Sequence, residues 1–263
     1  MNFVRRPSLG FLALLVLAAT AAPLLAPHDP MEMNKAATLT LPSWSNPLGT
    51  DQFGRDILSR LLHGARIALA IGLGATLAAA AAGVPLGLWA GWQGGAVDGV
   101  AMRGVDTLLA IPPVLLAMGL VAMTGPGSLN AGIAVSVVGL PQFAKLARAG
   151  TLGQKRMEYA EAALALGATD RRILFRTILP NILSPIVVQV PVAASRAILL
   201  EASLSFLGLG TQPPGPSWGL MVSESRNYMY AAPWYGAFPG VLIALTVLAL
   251  NGVSDLVRRG RWS

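Results

Sequence analysis

Six long apolar runs, separated by segments that hold most of the charge, constrain this chain more than any other feature. Hydrophobic residues make up 54% of its 263 residues and charged residues only 12%, whereas soluble domains average about 25% charged residues. Apolar runs of about 18 residues can cross a bilayer as helices. The sequence therefore predicts an all-α, polytopic membrane protein with six transmembrane helices. We place the spans at 9–26, 67–90, 107–123, 131–143, 182–203 and 235–257.

The first run has two interpretations. Arg5 and Arg6, an apolar core and small residues at 18–22 fit a cleavable signal peptide. They fit equally a first span oriented by its flanking positive charges. Because the run is just long enough to cross a bilayer, we favour an uncleaved helix, with the cytoplasmic N-terminus and first span at 1–26.

A polar, proline-rich segment follows at 27–65, and we expect it on the outer side of the membrane. Thr50 can cap an amphipathic helix that ends at Leu62, before Gly64. Two acid–base pairs lie at i,i+4 on this helix, Asp51 with Arg55 and Asp56 with Arg60. The opposite face is apolar, so the helix is expected to lie on the membrane or on a partner. Since both carboxylates have basic neighbours and His63 is alone, no metal site is predicted.

Positive charge is distributed unevenly between alternate loops. With the N-terminus inside, 13 of the 19 Lys and Arg residues fall in inner segments and four in outer loops. Cytoplasmic loops carry an excess of Lys and Arg, so this count predicts that both termini are cytoplasmic. The net charge of +7 is spread between apolar runs. That distribution favours anionic membrane lipid over nucleic acid as the partner.

The most charged segment, at 145–181, contains a short helix that ends at a glycine. Residues 157–166 are good or tolerable helix formers. Glu158 and Glu161 lie in the first turns, where the helix dipole favours negative charge. Gly167 follows at the position where a left-handed residue commonly ends a helix.

A second helix is predicted directly after this glycine. Thr169 or Asp170 can cap it, and Pro180 should end it, because proline lacks an N–H and restricts its neighbour. Ala162 and Ala163 leave one face of the first helix with little side-chain bulk, so that its backbone can approach a partner. A soluble protein could use the same pattern as a helical corner, but its position between apolar runs argues against that interpretation.

This segment resembles the cytoplasmic loop of ATP-binding cassette (ABC) importer permeases. The resemblance is carried by Glu161, Ala162, Ala163, Gly167, Ile178, Leu179 and Pro180. It implies a coupling helix that docks into a groove on an ATP-hydrolysing subunit and transmits nucleotide-driven closure to the membrane helices. With Glu158 and Tyr159, these residues form the implied ATPase-coupling interface.

Two further passages resemble the dipeptide, oligopeptide and nickel branch of that family. Residues 46–56, NPLGTDQFGRD, are similar to the segment before the second span of its C-type subunits, and residues 203–219 are similar to an outer loop. The resemblance implies a type I ABC importer permease with a five-helix core at 66–257 and a cytoplasmic tail at 258–263. It also implies a bacterial inner-membrane location and three kinds of partner: a B-type permease subunit, two cytoplasmic ABC ATPases and an extracytoplasmic substrate-binding protein.

No pattern for catalysis or nucleotide binding occurs in the sequence. The chain lacks a P-loop, G-x-S-x-G and H-E-x-x-H, and its histidines, His28 and His63, are far apart. It also has no cysteine, which excludes disulfides and cysteine-ligated metals. We therefore expect a subunit that is not an enzyme, binds no cofactor and depends on ATP hydrolysis elsewhere.

Ionisable residues in or near the fifth span are candidates for the translocation path. They are Arg196 and Glu201, and Gln189 lies on the same helical face as Arg196, seven residues earlier. An unpaired charge in lipid is costly, so such residues are often functional. Alternatively, Arg196 snorkels towards the membrane surface, or pairs with Glu201 or with the partner permease to stabilise packing. Both interpretations remain open at this stage.

Two other functions are alternatives to that of an importer subunit. An ion-coupled secondary transporter should show a coupling-ion site and usually repeat symmetry, and neither is visible. A non-transporting membrane scaffold would not need the coupling segment. The substrate also stays open among dipeptides, oligopeptides, glutathione-like peptides and nickel chelates, because selection in the resembled family lies largely with the binding protein.

Overall fold

The computed structural model describes residues 5–259, and regular structure in that part is helical apart from an isolated bridge between Thr50 and Asp56. The helices are α1 Arg5–Thr20, α2 Ala22–Leu25, α3 Ile57–Gln93, α4 Gly95–Ala110, α5 Pro113–Thr124, α6 Ser128–Lys155, α7 Glu158–Ala165, α8 Asp170–Ile173, α9 Leu179–Phe206, α10 Trp218–Ser225 and α11 Pro233–Arg259. A π-helical turn, Leu174–Ile178, joins α8 to α9. Most of the predicted tail, residues 260–263, lies outside the described residues.

Four helical stretches are long and apolar enough to cross a membrane: α3, α6, Asp170–Phe206 and Pro233–Arg258. The pair α4 and α5 passes the same test only together, and α1 holds a shorter apolar helix, Pro7–Thr20. The all-α membrane fold is therefore confirmed. The predicted count of six transmembrane helices is not exact for residues 5–259, because one span is broken and another is short.

The span predicted at 107–123 is not one continuous helix but is broken at its proline pair. In its place α4 ends at Ala110, α5 begins at Pro113, and the two helices are bent by 97°. Ile111 is extended, with φ −92° and ψ 132°. Proline disfavours helical geometry in the preceding residue, and two consecutive prolines remove two N–H donors, so a helix cannot continue through Pro112.

The predicted amphipathic helix from Thr50 to Leu62 is also wrong. Asp56 caps α3, accepting hydrogen bonds from the backbone N–H and the hydroxyl of Ser59, both at 2.8 Å. The helix then continues through Gly64 to residue 93. A Cβ atom at Gly64 would lie 2.9 Å from Cδ1 of Trp218, so this glycine provides space for packing and does not end the helix.

Three glycines of α3 bring it into backbone contact with α6. Gly83, Gly87 and Gly91 lie one turn apart, and a Cβ at Gly83 would come within 2.6 Å of Leu140 O. A Cβ at Gly87 would overlap Ala144 O. Small residues allow helices in membranes to approach in this way. The span at 67–90, which is dense in Gly and Ala, therefore packs closely against α6.

We expect Gly87→Ala to destabilise the protein because its methyl group has no space against α6. Overpacking of this kind costs about 1–3 kcal/mol. The measurement is thermal unfolding of the purified chain in detergent. Gly74→Ala is the matched control, since nothing lies within 4 Å of a Cβ there; equal stability of the two variants would contradict the close contact.

Candidate functional site

The predicted coupling segment folds as two short helices around a glycine. Gly167 has a φ of +81°, the left-handed conformation expected at a C′ position. The N–H of Ala168 donates to Ala163 O at 3.0 Å and that of Gly167 donates to Leu164 O at 2.9 Å, which ends α7. Thr169 then caps α8. This local pattern matches the one predicted from the sequence.

Pro180, however, does not end the second helix. The Leu179 N–H donates to Leu174 O, five residues back, and α9 continues from there to Phe206. The π-helical turn thus comes immediately before the proline, where an α-helical turn would place the ring against the carbonyl four residues earlier. The wider turn lets the chain pass the proline, so the coupling segment runs directly into a membrane-spanning helix.

The coupling segment has a buried face and an exposed face. Ala160, Ile173 and Ile178 are fully buried. Leu179 and Ala163 are partly buried and pack against a hydrophobic cluster that contains Ile173 and Ile178. The remaining residues of the predicted interface are exposed: Glu158, Tyr159, Glu161, Ala162, Gly167 and Pro180. The apolar residues therefore hold the segment to the membrane helices, while its acidic and small residues face outward.

Exposed apolar side chains accompany these polar groups. Leu164 is 46% exposed and Leu166 is 88% exposed, at the end of α7. Both residues lie between the membrane-spanning stretches Ser128–Lys155 and Asp170–Phe206. Their exposure is therefore not explained by a lipid-facing helix. Apolar surface of this kind is typical of a protein interaction site.

Three contacts that the sequence did not predict anchor the coupling segment. Asp170 accepts a hydrogen bond from Gln93 Nε2, at the end of α3, at 3.0 Å. Lys155, at the end of α6, donates to the backbone oxygen of Trp92, and its Nζ lies 5.2 Å from the centre of that ring. Tyr159 donates to Gln154. The segment is thus tied to the ends of α3 and α6, and two of the three contacts join residues more than 60 positions apart.

The three candidate path residues do not form one group. Arg196 is exposed and its Nη1 donates to Gln142 Oε1 on α6, at 3.2 Å. Glu201 is only 1% exposed and accepts a hydrogen bond from Ser205 at 2.7 Å. In residues 5–259 no ion pair joins Arg196 to Glu201, so the alternative in which these two pair is wrong.

Glu201 lies instead near the end of α9, under the loop that follows this helix from Leu207. Ser205 links the two, donating to Glu201 and accepting from the Thr211 N–H at 3.1 Å. Trp218, 1% exposed, donates from Nε1 to Leu61 O on α3 at 3.0 Å. Residues 216–221, at the end of this loop and the start of α10, are therefore buried in protein.

A buried charge cluster on the same side was missed. Arg55 and Arg60 both contact Glu224 Oε2, at 3.1 Å, and Asp51 Oδ2, at 2.5 and 3.5 Å. Both arginines and Asp51 are at most 1% exposed. Tyr235 donates to the same Glu224 oxygen at 2.8 Å. The sequence had suggested only neighbouring pairs, because Glu224 follows 164 residues after Arg60.

Electrostatics keeps Arg55 charged in this cluster. Burial acts to lower the pKa of Arg55, but the negative charges of Asp51 and Glu224 outweigh it and hold that pKa above its ordinary value.

The motif at 46–56 forms the loop before α3, and its polar side chains hydrogen-bond within that loop. Asp51 Oδ1 accepts from two backbone N–H groups of this loop, and Asn46 Nδ2 donates to Asp56 at 3.0 Å. The motif therefore builds a compact support for α3.

No metal-binding group of three or more His, Cys, Asp or Glu occurs among the residues from 5 to 259. Asp51 and Asp56 are engaged by arginine, serine and asparagine side chains instead.

The fold is similar to that of solved ABC transporter structures. The inward-facing MetNI methionine ABC transporter matches with a TM-score of 0.63, covering 76% of this chain and 95% of the chain it is compared with. At 20% sequence identity this similarity shows the fold alone. It agrees with the type I importer permease architecture implied by the resemblance.

Sequence comparisons define the family. The pattern of the binding-protein-dependent transport system inner membrane component matches residues 83–261. A di/tripeptide transport system permease protein of Pseudomonas aeruginosa, DppC, is 42% identical over 94% of this chain and 84% of its own. A glutathione transport system permease protein of Pectobacterium atrosepticum, GsiD, is 44% identical over 94% and 83%. The chain belongs to this family of inner membrane transport components and is a transport permease subunit.

We expect Glu224→Gln to destabilise the protein strongly, because it leaves two buried arginines with a single carboxylate. Breaking a buried ion pair costs about 3–5 kcal/mol. Thermal unfolding in detergent measures the effect. The matched control is Asp106→Asn, which breaks an exposed pair with Lys145 and should cost less than about 1 kcal/mol. Similar losses in both variants would show that the cluster does not stabilise the fold.

Proposed function

We propose that this chain is one of two permease subunits of an ABC importer for peptides, driven by separate ATPase subunits. The observation that carries the proposal is the two-sided coupling segment. Its buried apolar face is fixed to the membrane helices, and its exposed face offers Glu158, Glu161 and Ala162 to a partner. The partner that we propose for this face is a cytoplasmic ATPase, with a groove that receives α7.

The contacts of this segment support a mechanical role. Movement of α7 is transmitted to α6 through Tyr159 and Gln154. Movement of α8 is transmitted to α3 through Asp170 and Gln93, and to α9 through the continuous π-helical turn. Because these three helices pack on one another, a displacement of the segment acts on the membrane core as a whole. The chain itself then moves solute without chemistry while ATP is hydrolysed elsewhere.

The assembly we propose contains a B-type permease, two ATPases and an extracytoplasmic binding protein, in a bacterial inner membrane with both termini of this chain in the cytoplasm. The uneven distribution of Lys and Arg between loops supports this orientation. The names of the di/tripeptide and glutathione relatives support a peptide substrate. An ion-coupled transporter or a scaffold would leave the exposed face of α7 without a purpose.

For the translocation path we propose Gln189 and Arg196, which lie on one face of α9. Glu201 is buried under the outer loop, and we assign it to holding that loop against the helix. If neither an ATPase nor a binding protein co-purifies with this chain, the result favours a membrane scaffold instead.

We expect Gly167→Asp to reduce ATP-dependent peptide uptake and the associated ATP hydrolysis at least tenfold. A residue other than glycine in the left-handed region costs about 1–2 kcal/mol, and the new carboxylate stands on the docking face. The measurement uses proteoliposomes containing the complete complex, with ATP hydrolysis and radiolabelled peptide uptake recorded in parallel.

Gly153→Asp is the matched control for this experiment. Gly153 is exposed near the end of α6, nothing lies within 4 Å of a Cβ there, and its φ is not positive. It should retain most of the wild-type activity. If Gly167→Asp assembles and both of its activities equal those of the control, the segment is a helical corner and the coupling proposal is wrong.

A further inference from the structure

A polar stripe runs along one face of α9. Gln189, Arg196 and Ser203 follow one another at intervals of seven residues, which is about two helical turns, so their side chains lie on one side of the helix. Arg196 is exposed and the other two are partly exposed. Glu201, the other ionisable residue of α9, is buried on a different side. Arg196 is therefore the charge that this stripe presents.

The guanidinium of Arg196 is only partly engaged. A guanidinium has five N–H donors, and in the described residues one of its nitrogens, Nη1, contacts Gln142 Oε1. No acidic side chain between residues 5 and 259 forms an ion pair with it. Nearby on the stripe, Gln189 Nε2 is buried and has no hydrogen-bond partner in the same part of the chain. The stripe thus carries donors that are available for an acceptor.

The depth of Arg196 excludes lipid as its environment. It lies near the middle of the predicted span at 182–203, where a charge facing hydrocarbon costs several kcal/mol, about 3 or more. The stripe must therefore face either a water-filled path or a polar protein surface. A planar fork of N–H donors matches a carboxylate in two parallel hydrogen bonds.

We propose that Arg196, oriented by Gln142, is an anion-binding position in the translocation path and receives a carboxylate group of the transported solute. This inference rests on the proposed function, because a peptide carries such a carboxylate at its C-terminus. The remaining exposure of Arg196 keeps its charge partly hydrated, so that the carboxylate is held only transiently. Gln189 and Ser203 lie two turns away on either side. In the described part of the chain, Gln189 Nε2 is buried without a hydrogen-bond partner, whereas the Ser203 hydroxyl donates to Leu199 O at 2.8 Å.

The test measures the local electrostatic preference of the stripe with thiol reagents. Leu199 is 44% exposed and lies one turn beyond Arg196. The chain has no cysteine, so Leu199→Cys gives it one thiol, and the wild-type complex provides the background from partner chains. In the complete complex, we expect an anionic methanethiosulfonate to react about fivefold faster than a cationic one of the same size, because residues three apart on a helix have their Cβ atoms about 5–6 Å apart and the thiol is therefore close to a positive charge.

The same comparison in Leu199→Cys with Arg196→Gln should lose this preference. Val241→Cys, 55% exposed on α11, is the control, and its reactivity should not depend on residue 196. An unreactive Leu199→Cys would mean that a partner chain covers the stripe. An unchanged preference after Arg196→Gln would mean that Arg196 does not attract anions there. Either result overturns the proposal.

Uptake of radiolabelled dialanine by the complete complex tests whether the position serves transport. We expect Arg196→Gln to lower uptake about tenfold and Arg196→Lys, which keeps the charge, about threefold. Equal loss in both variants, wild-type uptake in Arg196→Gln, or failure of Arg196→Gln to assemble would assign Arg196 to packing. If the wild-type complex itself does not take up peptide, the proposed function fails, whereas the reagent preference still decides whether the stripe binds anions.

Discussion

The close approach of α3 and α6 is the constraint on which the rest of the structure depends. Gly83, Gly87 and Gly91 leave no room for side chains at this contact, so the two backbones meet directly. Apolar surface gains little by leaving lipid for another apolar surface, so backbone proximity and packing hold membrane helices together. Trp92 and Lys155, at the last residues of these helices, contact each other, and Trp92 packs in the same hydrophobic cluster as Ile173 and Ile178 of the coupling segment.

Polar groups differ in burial between the two ends of α3. Near its first residue, Arg55 and Arg60 are buried and paired with Glu224, which holds the segment before α3 to α10. Near its last residue, the acidic side chains of α7 are exposed. Buried pairs are costly to break, and exposed charges are free to re-pair. The arrangement fits a rigid support at one end of the helices and an adaptable surface at the other.

How far the sequence alone could lead differs between elements. The end of α7 at Gly167 was predictable, because the required conformation is local and strongly favours glycine. The start of α3 was misplaced, since the predicted ion pairs of Asp51 and Asp56 were consistent with a helix. The partner of both nearby arginines, Glu224, lies far along the chain. Pro180 was read as a helix end, and the π-helical turn that accommodates it has no sequence signal of its own.

The sequence by itself determined that the chain is helical and lies in a membrane, that its Lys and Arg residues are concentrated in alternate loops, and that a helix ends at Gly167, because hydropathy, charge and backbone freedom act over a few residues. Only the tertiary structure decided that α4 and α5 bend sharply apart, that Glu201 lies under the outer loop, and that Arg196 meets Gln142 on an exposed face. The proline pair predicts a break between α4 and α5 but not its angle, and the burial of Glu201 depends on which elements pack around it. Arg196 and Gln142 are 54 positions apart, and helical periodicity, which repeats every 3.6 residues, does not encode such a contact.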